Sequence, residues 1–272
     1  MRRVYRFRIF IFYLFTMTST IKKNNWLEIL IDQKEIFGDY LFIQKDEILN
    51  KTKDSNLIHE KTIKYKSDYS ELDIFNSEEL QWVDSKTLEE LYSRIKDCSK
   101  CILHKNRTNF VFGYGNSNAD VMIIGEGPGA EEDKQGIPFV GKAGMLLTNI
   151  LKAINFSRDE VYIANIVKCR PPDNRTPFQE EMDSCFPFLE KQIELIKPKL
   201  ILCLGLTAAR GLLKKKESLA AFRGKVFLYN NSIKVMVTFH PAALLRNPNW
   251  KKDCWQDVQE FRKLYDETIN NQ

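Results

Sequence analysis

The chain has 272 residues, is 43% hydrophobic, and carries a formal net charge of +5 with a sequence pI of about 8.7. That length holds one large domain or a domain with an appendage, and the apolar share suffices for a sizeable core. The mild basicity suits a polyanionic partner without requiring one, and the apolar run Ile9 to Phe15 falls far short of the roughly 20 residues a membrane-spanning helix needs.

Arg2, Arg3, Arg6 and Arg8 imitate the positive end of a signal peptide, but no small-residue cleavage site follows them. Met17 opens a more ordinary polar sequence. Residues 1–16 are therefore read as a disordered or upstream-extended start, with a weak membrane-touching segment as the alternative. The whole of residues 1–87 reads as an extension and linker. Within it, Trp26 to Ile31 can open a short helix, and Lys51 to Ser70 is polar and lysine-rich. Thr87 and Glu90 have capping-box spacing and predict a helix through about Ile95, with Leu88, Leu91 and Ile95 on one face.

From residue 119 the apolar pattern alternates between strand and helix. Val121–Ile124 predicts a buried strand that ends in a glycine-rich turn. Ala143–Ile154 predicts a helix, Val161–Ile166 a second strand, and Gln179–Ile196 a helix between Pro177 and Pro198. Leu200–Leu204 is a third strand and Thr207–Leu213 a short helix. Val226–Leu228 and Val235–Thr238 are late strands, and Trp250–Tyr265 closes the chain as an amphipathic helix. Such alternation predicts an α/β fold of three layers, α/β/α, around a central, mostly parallel four-stranded sheet.

Six cysteines without a convincing secretory segment favour metal ligation over disulfides. Cys98 and Cys101 are spaced so that both thiolates can reach one metal centre. Cys169 follows the second strand and Cys185 lies in the next helix. Zinc and a 4Fe–4S cluster both suit this set, and spacing does not separate them. Cys203 sits inside an apolar strand and Cys254 in the last helix, and neither is expected to be a ligand.

Gly125-Glu126-Gly127-Pro128-Gly129 follows the first strand, where ligands of open α/β sheets bind. Phe139 lies in a second constrained loop, Gly136 to Gly144. It can offer its ring to a flat ligand, with core packing as the plain alternative. Asn165 ends an apolar strand, and its amide donor and acceptor can read an imide edge. His240 follows the strand ending at Thr238 and can donate to a ligand oxygen. His59 and His104 have weaker claims. Arg170, Arg175, Arg223 and Arg246 are expected to form part of a phosphate-facing rim, giving affinity rather than base identity.

Five fragments stand in order: Cys98-x2-Cys101, Gly125 to Asp133, Gly136-x-Pro-Phe-Val-Gly141, Asn165 to Arg175, and His240-Pro-Ala-Ala-Leu-Leu-Arg246. In this set the chain resembles the family 4 uracil-DNA glycosylases over about Leu88 to Leu264. The resemblance implies that residues 88–272 form a catalytic domain of the uracil-DNA glycosylase-like fold. It implies a 4Fe–4S cluster, structural in role, on Cys98, Cys101, Cys169 and Cys185. It implies excision of uracil from single- and double-stranded DNA in base excision repair, leaving an abasic site. Glu126 and Gly127 would line the pocket through their backbone, Phe139 would stack on the base, and Asn165 would hydrogen-bond its edge. His240 would contact the O2 side. Glu132 would assist the hydrolytic step, with Glu131 and Asp133 as neighbours that only geometry can separate from it. A noncatalytic iron–sulfur nucleic-acid-binding protein of the same fold is the alternative. The expected protein is a cytoplasmic monomer without stable membrane association, and its N-terminal extension is a candidate contact for a replication or repair protein.

Overall fold

The structure, a computed structural model, describes residues 81–270. The expectations for residues 1–16, for a helix near Trp26 and for a linker over residues 51–70 lie outside the described residues.

Helix α1, Leu88–Ile95, begins where the sequence predicts. The Thr87 hydroxyl accepts the Glu90 N–H at 3.2 Å, and the Glu90 carboxylate accepts the Lys86 N–H at 2.7 Å. These bonds satisfy backbone donors that a helix start leaves without partners. Ahead of α1, Trp82 packs edge-on against Phe188 with ring centroids 4.9 Å apart.

Six strands form the sheet: β1 (Tyr114–Gly115), β2 (Val121–Gly125), β3 (Tyr162–Asn165), β4 (Leu200–Leu204), β5 (Phe227–Tyr229) and β6 (Ile233–Thr238). Their order is β1-β3-β2-β4-β6-β5. The four central strands are parallel, as expected, and a short antiparallel strand lies at each edge. Parallel neighbours need crossovers, which the intervening helices supply. These are α2 (Ala130–Gln135), α3 (Lys142–Ala153), α4 (Gln179–Ile196), α5 (Leu206–Leu213) and α6 (Leu219–Phe222), followed after β6 by α7 (Pro241–Arg246) and α8 (Lys251–Asn270).

The three layers follow from the two-residue period of a strand. Met122 and Ile124 of β2, Ile201 and Cys203 of β4, and Val235 and Val237 of β6 belong to one core. There they meet Leu91 and Ile95 of α1, Phe188, Leu189 and Ile193 of α4, and Leu212 of α5. Val121 and Ile123, Leu200 and Leu202, and Met236 join the opposite core with Leu147 and Leu151 of α3 and Val258 and Phe261 of α8. Every residue of β2 and β4 is buried, which is why these strands read as continuous apolar runs. Each fully buried aliphatic side chain contributes about 1.5–3 kcal/mol. Among the described residues no helix is long and apolar enough to cross a membrane.

Candidate active site

Strands β2, β3, β4 and β6 run the same way, so the loops after Gly125, Asn165, Leu204 and Thr238 emerge along one edge. Gly125 pairs with Asn165 in register. A Cβ on Gly125 would lie 2.4 Å from Asn165 Oδ1 and 2.6 Å from Phe139 Cζ, so only glycine lets these two groups close over the strand end. Asn165 is 1% exposed, and its Oδ1 has no hydrogen-bond partner. A buried polar atom left so is costly, and it marks where a ligand donor belongs.

Phe139 is buried and has φ 54°, in the left-handed region. Arg158 holds it there, donating to the Phe139 carbonyl at 2.9 Å and the Pro138 carbonyl at 2.8 Å. Gly144 lets the Phe139 carbonyl sit against α3, because a Cβ at that position would fall 1.9 Å from the oxygen. The Phe139 ring lies 5.6 Å from the His240 ring, tilted by 35°. The two rings thus flank one another.

His240 caps α7. Its Nδ1 accepts the Ala242 N–H at 3.2 Å, which places the proton of a neutral ring on Nε2. Burial pulls the imidazole pKa down to about 4, Arg246 adds repulsion, and the Glu132 charge opposes both. The ring is therefore a neutral donor at neutral pH. Thr238, two residues earlier, donates to Asp257 Oδ2 at 2.7 Å, and Phe239 stacks on Trp250 at 5.2 Å.

Geometry separates the three acids of α2. Glu131 is exposed. Asp133 accepts the Thr108 N–H at 2.9 Å and the Asn109 N–H at 3.3 Å, tying down the loop after the first cysteine pair. Glu132 accepts the N–H groups of Gly129 at 3.1 Å, Val140 at 2.9 Å and Gly141 at 2.8 Å. One carboxylate thus joins the glycine-rich turn to the loop that carries Phe139. The Glu126 side chain turns toward Thr207, and burial pushes its carboxyl upward while Thr207 and Arg246 oppose the shift.

The four expected cysteines lie within electrostatic reach of one another. Cys98 and Cys101 are half-buried, Cys169 and Cys185 are buried, and none forms a disulfide. Cys169 feels the charge of both Cys98 and Cys101, and Cys185 that of Cys169 and Cys98. Burial pushes the thiols of Cys101 and Cys169 up, and that of Cys185 up to about 12. N–H donors point at all four sulfurs, with the Leu103 backbone at Cys101. The Lys168 backbone reaches Cys185 Sγ at 3.3 Å, Arg107 Nη1 reaches Cys169 Sγ at 3.3 Å, and the Lys100 backbone reaches Cys98 Sγ at 3.5 Å. Among the described residues no group of three or more His, Cys, Asp or Glu side chains is placed to hold a metal ion. Cys203 is fully buried in β4, and Cys254 Sγ lies 3.4 Å from the Thr238 hydroxyl oxygen.

Residues 112–259 match the family described as the uracil DNA glycosylase superfamily. The chain is 44% identical over 181 residues to a type-4 uracil-DNA glycosylase of Pyrobaculum aerophilum, covering 64% of this chain and 92% of that protein. The chain belongs to the type-4 uracil-DNA glycosylase family. A second relative, the type-4 uracil-DNA glycosylase of Thermotoga maritima, is 50% identical over 161 residues, or 59% of this chain and 84% of its own. A type-5 uracil-DNA glycosylase of Pyrobaculum aerophilum is 33% identical over 147 residues, covering 48% of this chain and 65% of the relative.

Two members of the expected phosphate rim of this glycosylase are placed otherwise. Arg175 is bidentate to Glu181, at 2.6 and 2.8 Å, and lies over the Phe178 ring. Arg223 is bidentate to Asp257, at 2.7 and 3.2 Å, and covers Phe239. Both guanidinium forks are engaged by carboxylates in this structure. Arg170 donates its Nε to Asn174 at 2.8 Å, while Arg246 is exposed and its charge reaches His240 and Glu126. Sequence reasoning missed Arg158, Thr207 and the Thr238–Asp257–Arg223 network. A buried Asp in an amphipathic helix was the one available signal, and it does not name its partner.

Proposed function

We propose that this type-4 glycosylase hydrolyses the N-glycosidic bond between uracil and deoxyribose in DNA, releasing free uracil and leaving an abasic site. The reading is carried by the Asn165 Oδ1 atom, buried without a partner between Gly125 and Phe139. Uracil offers an N3–H donor beside an O4 acceptor, and a side-chain amide matches both. Cytosine offers the reverse pair, so the same amide is mismatched. The base must leave the stack to reach this pocket, at a cost of a few kcal/mol, which stacking on Phe139 and the amide contacts offset.

As the bond breaks, negative charge gathers on the departing uracil. The His240 Nε2–H meets it at the O2 side, and the neutral ring donates without giving up its proton. A donor aimed at charge that develops only in the transition state speeds the chemical step itself. The backbone at Glu126 and Gly127 lines the pocket. Glu132 is a positioning residue whose three N–H contacts hold Phe139 over the turn, and its negative charge also favours a cationic sugar. Arg170 and Arg246 serve the DNA phosphates of single- and double-stranded substrates.

Cys98, Cys101, Cys169 and Cys185 would hold a 4Fe–4S cluster. Four thiols that share one electrostatic neighbourhood and receive N–H donors support this reading, as does membership of the type-4 family. When bound, the cluster supplies structural order to the segments carrying Arg107 and Asn165, not chemistry at the sugar. Residues 88–272 act as the catalytic domain of a cytoplasmic monomer in base excision repair, and residues 1–87 as an extension open to a replication or repair partner.

The test is release of free uracil from an oligonucleotide with a single uracil, against thymine and cytosine controls. Release confined to the uracil strand supports the reading. A folded, iron-loaded sample that releases none overturns it.

A further inference from the structure

Between pocket and cysteine nest lies a cation that neither site accounts for. Lys168 is 0% exposed, among the largest fully buried side chains. Its Nζ donates to the Asn165 carbonyl at 3.0 Å and to Gln192 Oε1 at 2.6 Å, both neutral acceptors. Gln192 is fixed in turn by donating to the Phe112 carbonyl at 3.0 Å and the Tyr162 hydroxyl at 3.2 Å. Among the described residues no carboxylate pairs with Lys168. A buried ammonium without a counter-charge is strongly unfavourable, so something negative belongs beside it.

Arg107 repeats the pattern on a more open flank. It donates to Cys169 Sγ at 3.3 Å and to the Cys98 and Lys96 carbonyls at 2.6 and 3.1 Å, and among the described residues no carboxylate pairs with it. Two unmatched cations therefore border one group of four thiols. The N–H groups of the three residues between the two sites are all engaged. Ile166 N–H donates to Gly125, Val167 N–H to Glu126, and Lys168 N–H to Cys185 Sγ, while the Lys168 carbonyl accepts from Val111. These bonds tie the chain between Asn165 and Cys169 to the glycine-rich turn on one side and to Cys185 on the other.

We propose that Lys168 and Arg107 are the counter-cations of the iron–sulfur cluster, and that Lys168, by holding the Asn165 carbonyl, is the positioning residue that couples cluster occupancy to uracil recognition. This rests on the cluster reading of the nest. A thiolate-held cluster is net negative, and its potential follows local charge and hydrogen bonding to sulfur. Removing either cation exposes that negative charge to a low-dielectric surround. Removing Lys168 also frees the Asn165 carbonyl, which removing Arg107 does not.

The experiment uses the full chain, reconstituted without air, as wild type, Lys168→Met, Lys168→Gln and Arg107→Gln. It reads iron and sulfide content, the rate of bleaching by a chelator, the reduction potential, and the Kd for free uracil. Each variant should lose iron roughly tenfold faster or more, with its potential shifted negative. Lys168→Met should also bind uracil several-fold more weakly, whereas Arg107→Gln should bind it as wild type does. Variants that match wild type in iron release and potential overturn the counter-cation role. Equal uracil affinity in cluster-loaded and chelated wild type overturns the coupling, and this arm stands even where a Lys168 variant does not fold. Wild type that takes up no iron removes the cluster reading and this inference together. Loaded wild type with indifferent variants removes this inference alone.

Discussion

Asn165 and Cys169 bracket one short stretch of chain yet serve opposite needs. At Asn165 the fold excludes water and leaves an acceptor without a donor. At Cys169 it supplies a donor to the sulfur in advance, from Arg107 at 3.3 Å. A site whose ligand arrives and departs on every turnover keeps its polar complement open. A site meant for a permanent group is furnished before the group arrives. The same contrast sets the cost of error, because the pocket loses discrimination when altered and the nest loses its occupant.

The sharpest way to break this contrast is at the open acceptor. Asn165→Asp replaces a donor with a charge facing uracil O4, and kcat/KM for uracil should fall by roughly 10³-fold or more, with iron content unchanged. Steady-state release assays with iron analysis check both halves. Iron loss matching the activity loss would show that pocket and nest are not separable.

His240→Ala removes one donor to developing charge, and kcat should fall by about 10²–10³-fold with KM little changed. The same residue carries a pH signature. An unfolded histidine titrates near about 6.5, while the folded one is held to about 4. Between those values the unfolded chain binds the extra proton, so stability is complete above the higher value and falls as pH drops toward the lower. Denaturation midpoints measured across that window should slope for the native protein and flatten for His240→Gln.

Glu132→Gln should act more mildly, weakening the three N–H contacts and destabilising by about 1–3 kcal/mol. Its KM should rise because it positions Phe139, and its kcat should fall because the charge that favours a cationic sugar is gone. Thermal melts and initial rates read both effects. Smallest is Arg246→Gln, which should lower the slope of log Kd against log salt by about one phosphate contact. Arg175→Gln should leave that slope alone and lower Tm instead, because its partner Glu181 is 3% exposed.

Much of the fold was legible in the sequence because buried parallel strands announce themselves. Val121–Ile124 and Leu200–Leu204 are unbroken apolar runs, and both are strands with every residue buried. The Thr87 cap and the Gln179–Ile196 helix were equally plain. Helix α2 was not read, because Gly129, the acidic run and Gly136 look like turn chemistry. The acids instead sit at a helix N-terminus, where the dipole favours them, and Gly136 ends the helix at φ 74°. Helix α7 is six residues long, too short to show a period. In the site, residue types pointed to Phe139, Asn165 and His240. Pairing was hidden, since Arg223 meets its partner Asp257 34 positions away, and a guanidinium destined for a carboxylate looks in sequence like one destined for phosphate.

Phe139 keeps its ring in place before any base arrives. A left-handed backbone at a bulky residue is held at a cost of about 1–3 kcal/mol, and the Arg158 fork and the contact at Gly144 meet that cost during folding. On the proposed reading, the loop that carries Phe139 is then already ordered when uracil enters. The slow coordinate of encounter is the rotation of a nucleotide out of its stack, so a frayed or single-stranded uracil should be captured faster than a well-paired one by the same rigid receptor.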